Sequence, residues 1–169
     1  MILGRRHPRM PKGVTARLDR RDQPLAAAEL TDGSWAVVAA GALVVVGAGG
    51  VQDRHPWHEV EHGSWDGDAR EFTVTWVDGR VSPLVLTTAD DEVADFTAVL
   101  RERVQSSVVH TESMDTPGGA FVRVNIRRDE AGQLFSQLTA QGALRGDAAE
   151  RELIDDLERR ARAAVGLAT

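Results

Sequence analysis

The sequence predicts an α+β fold, in which an antiparallel β-sandwich or barrel capped by a helix is followed by a smaller βββα extension. Over residues 72–77, Phe72, Val74 and Trp76 occupy every second position, which is the period of a strand. From residue 93 the apolar positions recur every three or four residues, which is the period of a helix face. Beyond residue 105 a second set of alternating segments ends in another amphipathic helix. We therefore expect one domain with a packed extension.

The first 22 residues predict a basic arm that includes a short helix. Seven basic residues against two acidic ones give this segment a charge of +5. Val14 and Leu18 stand four positions apart, as on one helix face, so a short helix is expected within residues 11–20. Residues 1–10 lack such a pattern and are expected to be a loose arm.

Residues 23–105 are expected to form the sandwich. Asp78-Gly79 between alternating segments is a hairpin signal, and Thr31-Asp32-Gly33-Ser34 is a turn between the first two strands. A helix is predicted over 91–104, with Asp90 as its N-cap and an apolar stripe on one face. A loop is expected between Gly50 and Trp57, and strands are predicted at 25–30, 35–40, 43–46, 57–65, 72–77 and 84–87.

Residues 106–169 are expected to form strands and a helix that pack together as an extension. An isolated helix of the predicted length is marginal in water, so its apolar stripe needs a surface to cover. The strand at 122–126 offers one, because apolar residues alternate there with polar residues expected to face water. The two faces should pack within one chain or across a dimer. Further strands are predicted at 108–112 and 134–139, and a helix at 148–165 with a capping-box pair, Asp147 and Glu150, and a stripe of Leu153, Leu157, Ala161 and Ala164, widened by Ile154 and Val165.

Composition restricts the classes of function. The 169 residues include no cysteine, so disulfides, thiolate zinc sites and a thiol nucleophile are excluded. No apolar segment approaches the roughly 20 residues of a membrane span, and no signal peptide is recognisable, so a cytoplasmic location is expected. The net charge is −6, and residues 23–105 carry fourteen acids against five arginines. Such an acidic body repels phosphate, which argues against a nucleic-acid partner except through the basic arm.

Several segments together resemble the pleckstrin-homology-like (PH-like) family, in particular its bacterial PH and GRAM-type branch. They are Ala42-Leu43-Val44-Val45-Val46, Pro56-Trp57-His58-Glu59-Val60, the strand at 72–76 with Asp78-Gly79, and the helix at 91–104. The resemblance covers about residues 24–105. The composition, with nineteen arginines and one lysine, is also similar to that of small proteins of high-GC bacteria. It implies a PH-like binding module rather than an enzyme. Some members bind inositol phosphates through basic residues between the first two strands, where residues 31–34 hold none, so it implies no phosphoinositide binding here.

Three histidines, His55, His58 and His62, form the most suggestive cluster for metal binding. His58 and His62 have the spacing of a zinc-binding helix. Pro56 before them and Gly63 after them argue for a strand instead, where residues four apart are about 13 Å from each other. We therefore expect no metal site.

Other candidate motifs have simpler interpretations. Residues 47–50 resemble a phosphate loop but lack the Lys-Ser/Thr that completes one, so a hairpin turn is favoured. No Gly-x-Ser-x-Gly motif surrounds Ser106, Ser107 or Ser136. The paired carboxylates Asp90-Asp91 and Asp155-Asp156 suit helix starts and solvated faces. Core packing is the preferred role of the four tryptophans, with Trp57 the best candidate for a binding platform; the four are Trp35, Trp57, Trp65 and Trp76.

These observations favour a non-catalytic PH-like binding or scaffolding module that engages a protein partner or a second copy of itself. No catalytic residue, cofactor or metal is expected. The alternative is a small hydrolase or metal-dependent enzyme that uses His58 or His62. A second alternative is a nucleic-acid or membrane-surface binder that uses the basic arm at 1–22. A deep pocket lined by His or Asp would favour the enzyme, and a flat apolar patch would favour the interaction module.

Overall fold

Ten β-strands and three α-helices make up residues 10–168, the part of the chain that the computed structural model describes. The strands form three antiparallel sheets, so the predicted α+β class is confirmed. The chain divides into two compact units between Gln105 and Ser106. None of the helices among these described residues combines the length and apolar character that a membrane span needs.

The first unit holds two sheets with strand orders β1-β2-β3-β4 and β5-β6-β7. A bridge between Leu30 and Thr88 connects the end of β1 to the end of β7, and the N–H of Thr31 donates to the carbonyl of Thr87 (2.9 Å). The elements are α1 (Lys12–Thr15), β1 (Pro24–Glu29), β2 (Trp35–Ala39), β3 (Ala42–Gly47), β4 (Gly50–Pro56), a 3-10 turn (Trp57–Glu59), β5 (Val60–Asp66), β6 (Glu71–Trp76), β7 (Leu84–Thr87) and α2 (Ala94–Ser107), whose last two residues belong to the second unit.

The main core of this unit combines one face of each sheet with the apolar stripe of α2. Phe72 and Phe96 meet edge to face, with ring centroids 5.5 Å apart, and this joins β6 to α2. Every residue of β3 is buried, which explains its unbroken apolar sequence. Its second face is covered by Val14, Met10 and Leu18, so residues 10–18 pack on the outside of the first sheet.

Asp22 anchors this N-terminal segment to the sheet. Its carboxylate accepts from Arg54 Nε (2.9 Å) and Nη2 (2.8 Å), and Asp22 is fully buried. The predicted short helix is present as α1. The predicted loose arm, apart from Met10, lies outside the described residues.

The helix predicted over 91–104 is present but lies three residues further along the chain. Asp90 does not cap it, because its carboxylate accepts from the N–H of Glu92 (3.0 Å) in a turn that precedes α2. The first helical hydrogen bond runs from the N–H of Thr97 to the carbonyl of Val93 (2.8 Å). The apolar stripe belongs to the core as predicted, with Val93, Phe96, Leu100 and Val104 all buried.

Two predictions between β3 and β5 are wrong. Residues 51–54 belong to β4, which pairs with β3 through a hairpin closed by Gly47 and Gly50, and are not a loop. Trp57–Glu59 form a 3-10 turn, so the strand predicted from Trp57 begins only at Val60. Polar side chains along β4 conceal its character, because none of its residues is fully buried and the apolar alternation of a half-buried strand is missing.

The connection between β6 and β7 is longer than a tight hairpin. The strands pair as predicted, but the last paired residues are Val74 and Leu84. Asp78 organises the loop by accepting from the side chain and the N–H of Arg80, both at 3.0 Å. The hydrogen bond from the Arg80 guanidinium and, next, the bond from the Arg80 N–H lower the pKa of Asp78 to about 2. Asp78 of the Asp-Gly pair therefore shapes this loop through hydrogen bonds to its side chain, and the pair does not form a tight two-residue hairpin turn.

The second unit is a three-stranded meander, order β10-β9-β8, with α3 against one face. The stripe of α3 packs within the chain on Val122, Val124 and Ile126. Asp147 caps the helix by accepting from the N–H of Glu150 (2.8 Å), and Glu150 accepts from the N–H of Gly146 (2.8 Å). The elements are β8 (Val108–Asp115), β9 (Phe121–Arg128), β10 (Leu134–Gln141) and α3 (Ala148–Ala164).

Two details of this unit correct the predictions. Leu153 and Ala164 are exposed, because Ile154, Leu157, Ala161 and Val165 define the buried face and the other two lie nearly a quarter turn away. The polar side of β9 is only partly solvated. Asn125 and Arg127 are buried, with Asn125 Oδ1 accepting from Thr111 (2.8 Å) and Arg127 Nη1 donating to Ser107 (3.1 Å).

Gly63 lies where β5 passes over the core, and we expect Gly63→Ala to destabilise the first unit. A Cβ there would stand 2.8 Å from Phe72 Cε1 and 3.1 Å from Leu100 Cδ2. Overpacking of this kind costs about 1–3 kcal/mol. Urea denaturation should show the loss for Gly63→Ala, and Gly49→Ala is the control because its Cβ would meet nothing within 4 Å. Equal midpoints for the two variants would contradict this account.

Candidate functional site

A cavity of about 290 Å³ opens between the two sheets of the first unit. Its floor is formed by core residues, Leu30, Val45 and Leu86, which are buried. Its rim consists of the loop between β1 and β2, the start of β4 and the strand β7. The residues that line it are Leu30, Thr31, Asp32, Ser34, Val45, Gln52, Asp53, Leu84, Val85, Leu86 and Thr87.

The β1–β2 loop is rigidly held at the rim. The N–H of Leu30 donates to the carbonyl of Ser34 (2.8 Å), and Gly33 adopts the positive φ of +82° that closes so tight a turn. Asp32 Oδ1 accepts from both the hydroxyl (2.6 Å) and the N–H (2.9 Å) of Ser34. The carboxylate of Asp32 therefore has a fixed position beside the cavity.

The rim is negatively charged. Hydrogen bonds from the hydroxyl and the N–H of Ser34 lower the pKa of Asp32, so this exposed carboxyl is ionised at neutral pH. Asp53 contributes a second carboxylate from β4. None of the described residues that line the cavity is Lys, Arg or His. Arg54, the next residue along β4, is paired instead with buried Asp22.

This arrangement suits recognition better than acid–base or nucleophilic catalysis. The Ser34 hydroxyl donates to Asp32, but a carboxylate with a lowered pKa is a weak general base. Two carboxylates beside an apolar floor instead match a cationic group carried on an aliphatic stem, as in arginine or lysine. They repel phosphate and sulfate.

The three histidines are placed on different elements. His55 stacks on Trp76, with ring centroids 4.3 Å apart. His58 lies in the 3-10 turn and His62 on β5, so the helix that their spacing would need is not formed, and His58 is not on a strand as predicted. Within the described part of the chain, no three His, Cys, Asp or Glu side chains are grouped to hold a metal ion. The absence of zinc stays a prediction.

The other singled-out motifs have structural partners. Residues 47–50 form the predicted hairpin turn. Ser107 accepts from Arg127, and Ser136 on β10 donates to Glu158 on α3. Asp156 pairs with Arg159 (3.0 Å) and Arg160 (3.4 Å) on the exposed side of α3.

The tryptophans serve mainly as core residues. Trp57 is buried, and its indole N–H donates to the carbonyl of Ala39 (3.0 Å), so it is no exposed platform as its place after a proline suggested. Trp76 is also buried and donates to the carbonyl of Ser82 (2.9 Å). Trp35 and Trp65 are half-buried against the two apolar clusters of the unit.

The sequence indicates one side of the cavity but not the other. The loop at residues 31–34 corresponds to the place where some members of the PH-like family bind a ligand. Asp53 lies among residues predicted as a loop, and nothing in the sequence places it at the same cavity. The glycine-rich hairpin turn at 47–50 was the available signal, because a tight turn after a buried strand implies a returning strand that pairs with it.

A scan of known protein-family models finds none that matches this chain, and no curated protein matches its sequence.

Proposed function

We propose that the chain is a non-catalytic binding or scaffolding module of the PH-like kind, and that the cavity of its first unit receives a basic segment of a protein partner. Two antiparallel sheets of four and three strands, followed by α2, support the PH-like part of this proposal. The lowered pKa of Asp32, which makes this carboxylate a weak general base, supports the non-catalytic part.

The observation that carries the proposal is the charge of the cavity rim. Asp32 and Asp53 come from different elements of one unit, and no basic side chain accompanies them among the described lining residues. An inositol phosphate would have to place its anionic groups next to these carboxylates without a compensating cation. An arginine or lysine side chain would gain from the same arrangement, with its aliphatic stem on Leu30 and Leu86.

The test is a nuclear magnetic resonance titration of the ¹⁵N-labelled full chain with two probes, a hexa-arginine peptide and inositol hexakisphosphate. We expect the peptide to shift the amide signals of residues 31–34 and 52–53, with an affinity that falls as salt is added. The double variant Asp32→Asn, Asp53→Asn should weaken this binding roughly two- to thirtyfold, since an exposed ion pair contributes about 0.2–1 kcal/mol.

The matched control is the double variant Asp68→Asn, Asp91→Asn, which changes the net charge equally at exposed positions outside the cavity. If both double variants weaken binding equally, the effect is due to the net charge of the chain alone, and the proposed site is rejected. Shifts of residues 31–34 caused by inositol hexakisphosphate would reject the proposed ligand class.

A further inference from the structure

The strand β10 presents an unpaired edge. Among the described residues it pairs only with β9. The N–H of Asp129 donates to the carbonyl of Gln133 (2.9 Å), and from this pair the antiparallel ladder alternates along β10. Phe135, Gln137 and the odd-numbered residues after them therefore bond to β9. The main-chain groups of the even-numbered residues point away from the sheet; these residues are Leu134, Ser136, Leu138 and Ala140.

This edge lacks the devices by which proteins prevent unwanted strand pairing. Such edges are commonly blocked by charged residues, by proline or by a bulge. The eight residues of β10 include no charge and no proline, and their pairing with β9 shows no shift in register. The opposite edge, β8, has His110, Glu112 and Asp115 and an irregular register. The β8 edge of this sheet therefore has charges and an irregular register that hinder pairing, and the β10 edge has neither.

An apolar side chain accompanies the open edge. Leu138 lies on the face that α3 covers, since it pairs with Val124, yet it is 42% exposed. Leu153 on α3 is 43% exposed. A strand added to β10 would cover Leu138 while satisfying the outward main-chain groups.

We propose that two copies of the chain pair through β10, antiparallel about a two-fold axis, to form a continuous six-stranded sheet. The main-chain groups that point outward from β10 of one copy must bond to those that point outward from β10 of the other copy. Even-numbered residues therefore pair with even-numbered residues. The register that satisfies all of them is centred on Gln137, with Ser136 opposite Leu138 and Leu134 opposite Ala140. The axis is perpendicular to the sheet, so both α3 helices lie on the same face.

A second copy is the occupant that fits the chemistry of this edge. The edge requires an extended, uncharged strand, and β10 is itself such a strand, so no like charges meet across the pairing. Residues 106–169 carry only two more acids than arginines, against an excess of nine acids in residues 23–105. Association through the second unit therefore brings together the less charged part of the chain. The pairing through β10 rests on the proposed scaffolding function and specifies self-association as its form. The peptide titration tests the cavity of the first unit, so its outcome does not decide this pairing.

The first experiment measures mass in solution by sedimentation equilibrium of the full chain. We expect a dimer of the 18.3 kDa chain, and a monomer for Leu138→Lys, because a charge on the pairing edge disfavours association. Val109→Lys is the matched control, since Val109 is 39% exposed on the other edge strand. A monomeric wild type at hundreds of micromolar, or a monomeric Val109→Lys, overturns the proposal.

The second experiment decides the register, and it also decides the case in which Leu138→Lys fails to fold. The chain has no cysteine, so a single introduced thiol is a clean probe. Gln137→Cys would place two thiols at the axis in a non-hydrogen-bonded pair, about 4.5 Å apart at Cα, which suits a disulfide. Thr139→Cys should not link, because it faces residue 135. Failure of Gln137→Cys to link, or equal linking of both variants, overturns the pairing.

Discussion

Leu157→Asp should unfold the second unit. Leu157 is fully buried in the middle of the α3 stripe and packs in one cluster with Val122, Val124 and Ile126. Truncation of such a leucine to alanine costs about 2–5 kcal/mol, and an unpaired carboxylate in the same place adds a large desolvation cost. A unit of about sixty residues has little stability in reserve, so this loss should exceed it. Hydrogen exchange should show β8, β9, β10 and α3 losing protection.

Leu153→Asp is the matched control for this prediction, because the same substitution is made four residues earlier on an exposed part of α3. Its thermal midpoint should stay close to that of the wild type. If Leu157→Asp has an unchanged midpoint, the packing of α3 on the sheet contributes nothing to stability; if a chain that ends at Gln105 also keeps this midpoint, the extension is dispensable. A folded Leu157→Asp monomer beside a dimeric wild type would instead make the α3 stripe an interface.

Asp22→Ala should destabilise the first unit by about 3–5 kcal/mol, which is typical when one partner of a buried ion pair is removed. Asp22 is fully buried, and the side chain of Arg54 is only 15% exposed. The substitution removes the carboxylate that neutralises this guanidinium and that ties residues 10–22 to β4. Chemical denaturation should show the loss.

Two comparisons test whether the buried pair is the cause. Asp19→Ala removes a partner of Arg21 at 3.7 Å, where both side chains are more than 60% exposed, and should change stability by less than about 0.5 kcal/mol. The double variant Asp22→Leu, Arg54→Met should recover much of the stability lost in Asp22→Ala, since it removes both charges together. Equal losses for Asp19→Ala and Asp22→Ala would refute the role of burial.

The sequence by itself determined the α+β class and most of the elements, because local periodicity encodes them. Strict alternation identified β6 and β9, and the three-to-four spacing identified α2 and α3. The cap at Asp147 was also readable, since its partner Glu150 is three residues away and the contact is local. Where local signals competed, the predicted start of a helix was wrong. The carboxylate of Asp90 closes a turn before α2 and does not cap the helix.

Only the tertiary structure decided which side chains act together. Asp32 and Asp53 share a cavity because β1–β2 and β4 belong to one sheet, and the pairing of Asp22 with Arg54 depends on how residues 10–22 cross that sheet. The polar residues of β4 gave no periodic signal, and the exposure of Leu153, which was predicted in the same stripe as Ile154, depends on the rotation of α3 against its sheet. The physical reason is that periodicity records which residues are apolar along one element. Strand register, sheet closure and helix rotation are properties of packing between elements, and they set the charge of the cavity and the open edge of β10.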